Sequence, residues 1–293
     1  MSRCYLCPRL CGVDRAAGEI GFCGARQDIE VARIMVHRWE EPCISGDLGS
    51  GAIFLSGCSM QCVYCQNRDI SFGRKGRSIA VWELEQEIFG LVEKGVHNLN
   101  FVTPTHYTEL LLHLIERIKR KVNIPIVWNT SGYECVETIN MLDGLVDVYL
   151  PDYKYADPTL AKKLSSAENY PDVAIAAIKR MVDQRGAVVV NDDGIMTSGV
   201  MVRHLVLPGY RANSMSVLDR LADEIGTDKI YLSLMSQYTP DFYKKSQDSS
   251  DKNLRRTLTS FEYGRVSDYA VGLGFNGFFQ DRQSADPSFT PEF

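Results

Sequence analysis

The stretch Gly57-Cys58-Ser59-Met60-Gln61-Cys62-Val63-Tyr64-Cys65-Gln66-Asn67 places three thiols within eight residues, directly after the apolar run Ala52-Ile53-Phe54-Leu55. Such a run reads as a buried strand, and the strand would hold the cysteine loop at its carboxyl end. Thiolates are soft ligands that suit iron–sulfur clusters, zinc and Cu(I). The spacing is CxxxCxxC. Three cysteines without an obvious fourth would hold three irons of a cubane and leave one iron open. An open metal position serves chemistry, whereas a closed four-ligand site is structural. The competing reading is a zinc site or a redox trio.

A chain of 293 residues that is 45% hydrophobic is long enough for one large α/β domain or two ordinary ones. No repeat period is visible, and no apolar run approaches the roughly 18 residues that a membrane span requires. Met1-Ser2-Arg3-Cys4 lacks the apolar core of a signal peptide. The expectation is a soluble, cytoplasmic protein without a membrane partner. Nine cysteines in such a chain point to metal binding in a reducing compartment rather than to a disulfide scaffold. A net charge of -5 offers no global attraction for nucleic acid. The one dense basic run, Arg74-Lys75-Gly76-Arg77, reads as a solvated loop before a helix.

Residues 1–50 read as a cysteine-rich N-terminal extension and connector, and residues 51–293 as the main domain with a C-terminal segment. The extension carries Cys4, Cys7, Cys11 and Cys23 in the spacing C-x2-C-x3-C-x11-C. A segment this short cannot bury a core, so a metal or docking against the main domain must fix it. Four thiolates would suit either a closed zinc site or a second iron–sulfur cluster. Val31 to His37 reads as a strand, and Glu40-Glu41-Pro42-Cys43 as a turn.

From residue 51 strands and helices alternate, the signature of a parallel sheet with crossover helices. The strands fall at 51–56, 97–103, 124–130, 145–150, 199–207 and 230–235. Ser78 is the expected cap of a helix that Gly95 closes, and Pro158 and Pro171 are expected to interrupt a long helical stretch. Six units fit a partial (β/α)6 barrel, open where the eight-unit barrel closes; a doubly wound sheet is the alternative. In either fold the chemistry lies at the carboxyl ends of the strands. Those ends are polar: Thr103-Pro104-Thr105-His106, Asn129-Thr130-Ser131-Gly132-Tyr133, Asp152-Tyr153-Lys154, Arg203-His204 and Met235-Ser236-Gln237-Tyr238. Lone Cys135, His106 and His204 read as packed residues. The segments 185–198 and 244–252 read as surface loops, with a substrate-facing role as the alternative.

CxxxCxxC after a first strand, with the aromatic Tyr64 before the third cysteine, resembles the radical SAM enzymes. The resemblance implies that Cys58, Cys62 and Cys65 ligate a 4Fe-4S cluster whose open iron binds S-adenosylmethionine, which is reductively cleaved to a 5′-deoxyadenosyl radical. It also implies an external one-electron reductant of the flavodoxin or ferredoxin type. A bound S-adenosylmethionine needs a cation, acceptors and small hydroxyls. Arg203 would meet its carboxylate, and Thr103, Thr105, Asn129 and Ser131 its ammonium and ribose.

Asn129-Thr130-Ser131-Gly132, Asp152-x-Lys154 and the Arg203 strand ending in Pro208-Gly209 further resemble the glycyl-radical-enzyme activases, and the whole chain their PflX-like branch. By that resemblance Asp152 and Thr130 would form a monovalent-cation site, and Lys154 and Arg203 would contact the cofactor. The implied substrate is a protein or peptide. Asn129 stands where the activases have an aspartate, and the N-terminal cysteines precede the radical motif instead of following it. A small-metabolite substrate is the alternative within this chemistry. A zinc-binding interaction protein without catalysis is the alternative outside it.

Overall fold

The computed structural model describes residues 3–72, 75–244 and 250–280. Its strands are β1 (Ile29–His37), β2 (Ser50–Leu55), β3 (Arg77–Ile79), β4 (Leu99–Val102), β5 (Ile126–Thr130), β6 (Val148–Pro151), β7 (Val189–Val190), β8 (Met196–Leu205), β9 (Tyr231–Met235) and β10 (Gly277–Phe279). They form a single sheet in the order β10-β9-β8-β6-β5-β4-β2-β1-β3, with β7 paired to β8. From β2 to β10 every neighbour along this path is parallel, while β1 runs antiparallel to both β2 and β3.

This order decides between the two expected architectures. Along β2, β4, β5, β6, β8 and β9 each crossover moves one place in the same direction, so the winding never reverses. A doubly wound sheet requires such a reversal, and its ligand site sits there. The sheet instead curls one way and stops short of closure, with β3 and β10 as its edges. It is the open barrel that six units predict.

Alternation along the strands builds the two layers. On β5, Ile126 and Trp128 join the large cluster formed with the outer helices. Val127 points the other way and packs with Val148, Leu150 and Met201. Ile44, on the short helix Pro42–Ser45, belongs to that second cluster and helps to fill the barrel interior. Central strands buried on both faces need continuous apolar runs, and all six residues of β2 are buried.

Several local expectations shift. Ser78 caps nothing: it lies in β3 opposite Glu30, and the following helix, Val81–Glu93, begins after Ala80. Pro158 and Pro171 begin two helices, Pro158–Ser165 and Tyr170–Arg185, where a missing N–H costs no hydrogen bond. The segment 185–198 contributes the β7–β8 hairpin at the amino end of β8, opposite the end that carries Arg203. Of the basic run, Arg74 lies outside the described residues, as do residues 245–249 of the other loop. Among the described residues no helix is long and apolar enough to cross a membrane.

Candidate active site

Backbone register assembles the site. The amide of Thr103 donates to Asn129 O at 2.8 Å, that of Asp152 to Thr130 O at 2.9 Å, and that of Tyr153 to Arg203 O at 2.8 Å. Arg203 in turn lies opposite Ser233 on β9. Residues at successive strand ends are thereby fixed side by side. They border a cavity of about 610 Å³, which Cys58, Cys62, Tyr64 and Cys65 also line.

The cysteine loop is held from several sides. Cys58 Sγ accepts from the Met60 amide at 3.3 Å, Cys62 Sγ from Ser165 Oγ at 3.0 Å, and Cys65 Sγ from Ser71 Oγ at 3.4 Å. Gln61, between the first two cysteines, takes a left-handed φ of 49°, the kind of backbone strain that folds concentrate at functional sites. Burial, reinforced by the neighbouring thiols, pushes Cys58 up to about 12 and Cys65 to about 11. Ionising these sulfurs therefore requires a compensating positive charge, which bound iron provides.

Tyr64 does not offer its hydroxyl to the cavity. Its OH lies 2.6 Å from the Tyr155 OH, which lies 2.8 Å from Ser165 Oγ, so a buried chain of hydroxyls ends on the Cys62 sulfur.

Arg203 is nearly buried and so are its partners, Glu40 and Glu41, with 11%, 10% and 8% of their side chains exposed. Nε donates to Glu41 Oε1 at 2.9 Å, and Nη2 reaches both Glu40 and Glu41. Burial opposes the guanidinium charge, but the two carboxylates hold its pKa well above the ordinary arginine value. Glu40 also accepts from Asn100 at 2.9 Å and from Asn129 at 3.3 Å. Sequence reasoning read Glu40-Glu41 as a turn and missed them. A usable signal was present, because an arginine on a buried strand demands carboxylates from elsewhere.

At the neighbouring strand end Lys154 Nζ donates to Asp152. Burial works against this ammonium as well; Asp152 and the thiols of Cys62 and Cys65 more than offset it, so its pKa lies above the ordinary lysine value.

The threonines divide. Thr103, with a left-handed φ of 57°, lines the cavity with Asn129, Thr130 and Ser131. Thr105 does not line it; its hydroxyl donates to the buried Glu134 at 2.6 Å, and Thr130 donates to the same oxygen. Both residues expected at a monovalent-cation site thus have an oxygen engaged, Asp152 by Lys154 and Thr130 by Glu134.

The histidines are packed, as expected. His106 Nε2 lies 2.8 Å from Ser56 O; His204 meets Tyr153 O at 2.7 Å and Ser214 Oγ at 2.8 Å. Burial lowers both to about 4, so both are neutral near pH 7.

The N-terminal cysteines are not cavity residues. Cys4, Cys7 and Cys23 are buried and Cys11 is exposed. Cys135 Sγ lies 3.9 Å from Tyr5 O, at the edge of the same extension.

An open parallel barrel with a thiol-lined cavity at the carboxyl ends of its strands is an α/β-barrel fold with soft-metal donors where such folds carry their chemistry. A sequence profile of the radical SAM superfamily matches residues 52–210, more than half of the chain and all of the cysteine loop. The chain belongs to the radical SAM superfamily, which uses a 4Fe-4S cluster and S-adenosylmethionine, cleaves the latter to a radical and draws on an electron donor. The uncharacterized protein MJ0674 of Methanocaldococcus jannaschii is 29% identical over 268 residues, 88% of this chain and 72% of that protein. Two structures of Streptococcus suis SuiB, bound to S-adenosylmethionine and to precursor peptide SuiA, share the fold with a TM-score of 0.53 each, at 13% and 14% identity. They cover 79% and 80% of this chain, which spans 50% of the SuiB length.

The donor set fits these cofactors. Three thiols, Cys62 buried and Cys58 and Cys65 partly so, line a cavity whose volume suits a ligand of this size, and cations and carboxylates for an amino-acid moiety line it too.

Proposed function

We propose that this chain abstracts a hydrogen atom from a protein or peptide substrate, in the manner of an activating enzyme for a glycyl-radical partner. Cys58, Cys62 and Cys65 hold the cluster, and the bound cofactors supply the 5′-deoxyadenosyl radical. Lys154 and Arg203 bind the carboxylate of S-adenosylmethionine, and Thr103, Asn129 and Ser131 orient its ammonium and ribose. Glu40 and Glu41 keep Arg203 in one rotamer, so little side-chain entropy remains to be lost when the ligand arrives. A flavodoxin- or ferredoxin-type donor delivers the electron.

The observation that carries this reading is the union of the thiols and the buried cations in one cavity at the open end of an unclosed barrel. An open barrel admits a chain segment more readily than a closed one, and peptide-bound SuiB, with the same fold, supports a peptide substrate.

The test is anaerobic reconstitution with iron and sulfide, then reduction in the presence of S-adenosylmethionine and a uniformly deuterated extract split into protein and small-molecule fractions. Deuterium is expected in 5′-deoxyadenosine with the protein fraction. Deuterium from the small-molecule fraction alone would overturn the protein substrate, and no cleavage would overturn the site assignment.

A further inference from the structure

From a cation without a carboxylate that faces the thiols of Cys4 and Cys23, with Cys7 and Cys11 on the same short segment, we infer that Cys4, Cys7, Cys11 and Cys23 form a second, soft-metal centre, built directly onto the radical loop.

The extension folds around its cysteines. The Leu10 amide donates to Cys7 O at 3.0 Å, and Cys4 is tied to Gly12 and Val13 through Gly12 N to Cys4 O, 3.1 Å, and Cys4 N to Val13 O, 3.0 Å. These short returns bring the first three cysteines together. Gly21 admits the fourth segment, because a Cβ there would lie 2.6 Å from Cys11 Sγ. Cys7 lies within electrostatic reach of Cys4 and Cys23, and Cys23 within reach of Cys4 and Cys11.

Arg15 marks where negative charge collects. Its Nη2 points at Cys4 Sγ, 3.1 Å, and Cys23 Sγ, 3.7 Å, while Nη1 donates to His106 O. No carboxylate pairs with this guanidinium among the described residues, and its Nε is buried without a partner. Neutral thiols are poor partners for such a cation, whereas metal-bound thiolates carry the charge that it needs. No three His, Cys, Asp or Glu side chains among the described residues are drawn together tightly enough to hold an ion, and this applies to Cys58, Cys62 and Cys65 as much as to these four. At either set, binding a metal would require the thiols to close on it.

The extension is also joined to the catalytic loop. The Cys58 amide donates to Cys23 O at 3.2 Å, Gln61 Nε2 to Phe22 O at 2.7 Å, and Arg9 Nε to Ser59 O at 2.9 Å. Gly57 permits this approach: its φ is +91°, and a Cβ there would lie 2.5 Å from Cys23 O. Metal at the N-terminal cysteines therefore braces the backbone that carries Cys58.

The test uses the full chain with Cys58, Cys62 and Cys65 replaced by alanine, which removes the radical cluster and leaves the proposal standing or falling alone. After anaerobic incubation with iron and sulfide, or with zinc, the variant is desalted and its metal counted, and X-ray absorption reads the ligand shell. Iron with sulfide, or one zinc, in an all-sulfur shell is the expected result; the first identifies a cluster and the second a tetrathiolate. Adding Cys4→Ala and Cys7→Ala should abolish that metal. No metal above the buffer level in a variant with the circular dichroism of the parent overturns the centre. Metal that survives the added substitutions overturns the ligand assignment. Should the variant not fold, native mass spectrometry of the reconstituted parent decides: metal mass beyond one 4Fe-4S unit supports the centre, and one unit alone overturns it.

Discussion

Arg203 and Glu41, 162 residues apart in the chain, meet by a hydrogen bond of 2.9 Å at the carboxyl end of β8. Removing one member of a buried ion pair leaves an uncompensated charge, which costs about 3–5 kcal/mol. Arg203→Met should destabilise the fold by that amount, read as a lower urea midpoint at an unchanged m-value. Arg203→Lys should restore only part of it, because a point charge cannot reproduce the fork that meets two carboxylates. Equal stability of the parent and both variants would show that the pair is not formed in solution.

Ser165 donates to Cys62 Sγ at 3.0 Å. A donor to a ligating sulfur favours the more negative, reduced state of a cluster and so raises its potential. Ser165→Ala should lower the midpoint of the cluster proposed at Cys58, Cys62 and Cys65 by roughly 40 mV, the equivalent of a net hydrogen bond of about 1 kcal/mol in a one-electron couple. An EPR-monitored redox titration measures it; an unchanged or higher midpoint would refute the role of the hydroxyl.

Burial raises the Glu134 carboxyl to about 7, although the Thr105 and Thr130 hydroxyls pull the other way. A raised carboxyl pKa means that the folded state keeps a proton that the unfolded chain releases. Its contribution is complete below the ordinary value of 4.5 and is lost as pH rises through about 7. The loss amounts to about 3 kcal/mol. Thermal melts from pH 5 to 8 should therefore decline for the parent and much less for Glu134→Gln. Parallel declines would exclude Glu134 as the source.

Lys154 is buried beside Asp152 and near the thiols of Cys62 and Cys65. Lys154→Met removes the cation from the proposed carboxylate subsite, and charge-assisted hydrogen bonds are worth about 1.5–3 kcal/mol. The dissociation constant for S-adenosylmethionine should rise by about 10- to 100-fold in calorimetry on the reconstituted protein. Unchanged affinity with intact iron content would remove Lys154 from that subsite.

The sequence by itself determined whatever depends on near neighbours in the chain. Six apolar runs alternating with helical patterns specified the parallel strands β2, β4, β5, β6, β8 and β9. The CxxxCxxC spacing specified a soft-metal loop, because thiol chemistry and local spacing are both written in adjacent residues. Only the tertiary structure decided that the winding never reverses, since periodicity carries no strand order. It also decided which polar strand ends face the cavity. Thr103 and Thr105 are two residues apart, yet a left-handed turn at Thr103 leaves one beside the cavity and the other on Glu134. The need of Arg203 for carboxylates was legible in the sequence, but their identity as Glu40 and Glu41 was not: a charge enters a low-dielectric interior only with a partner, and which partner it finds depends on how the distant strands are laid side by side.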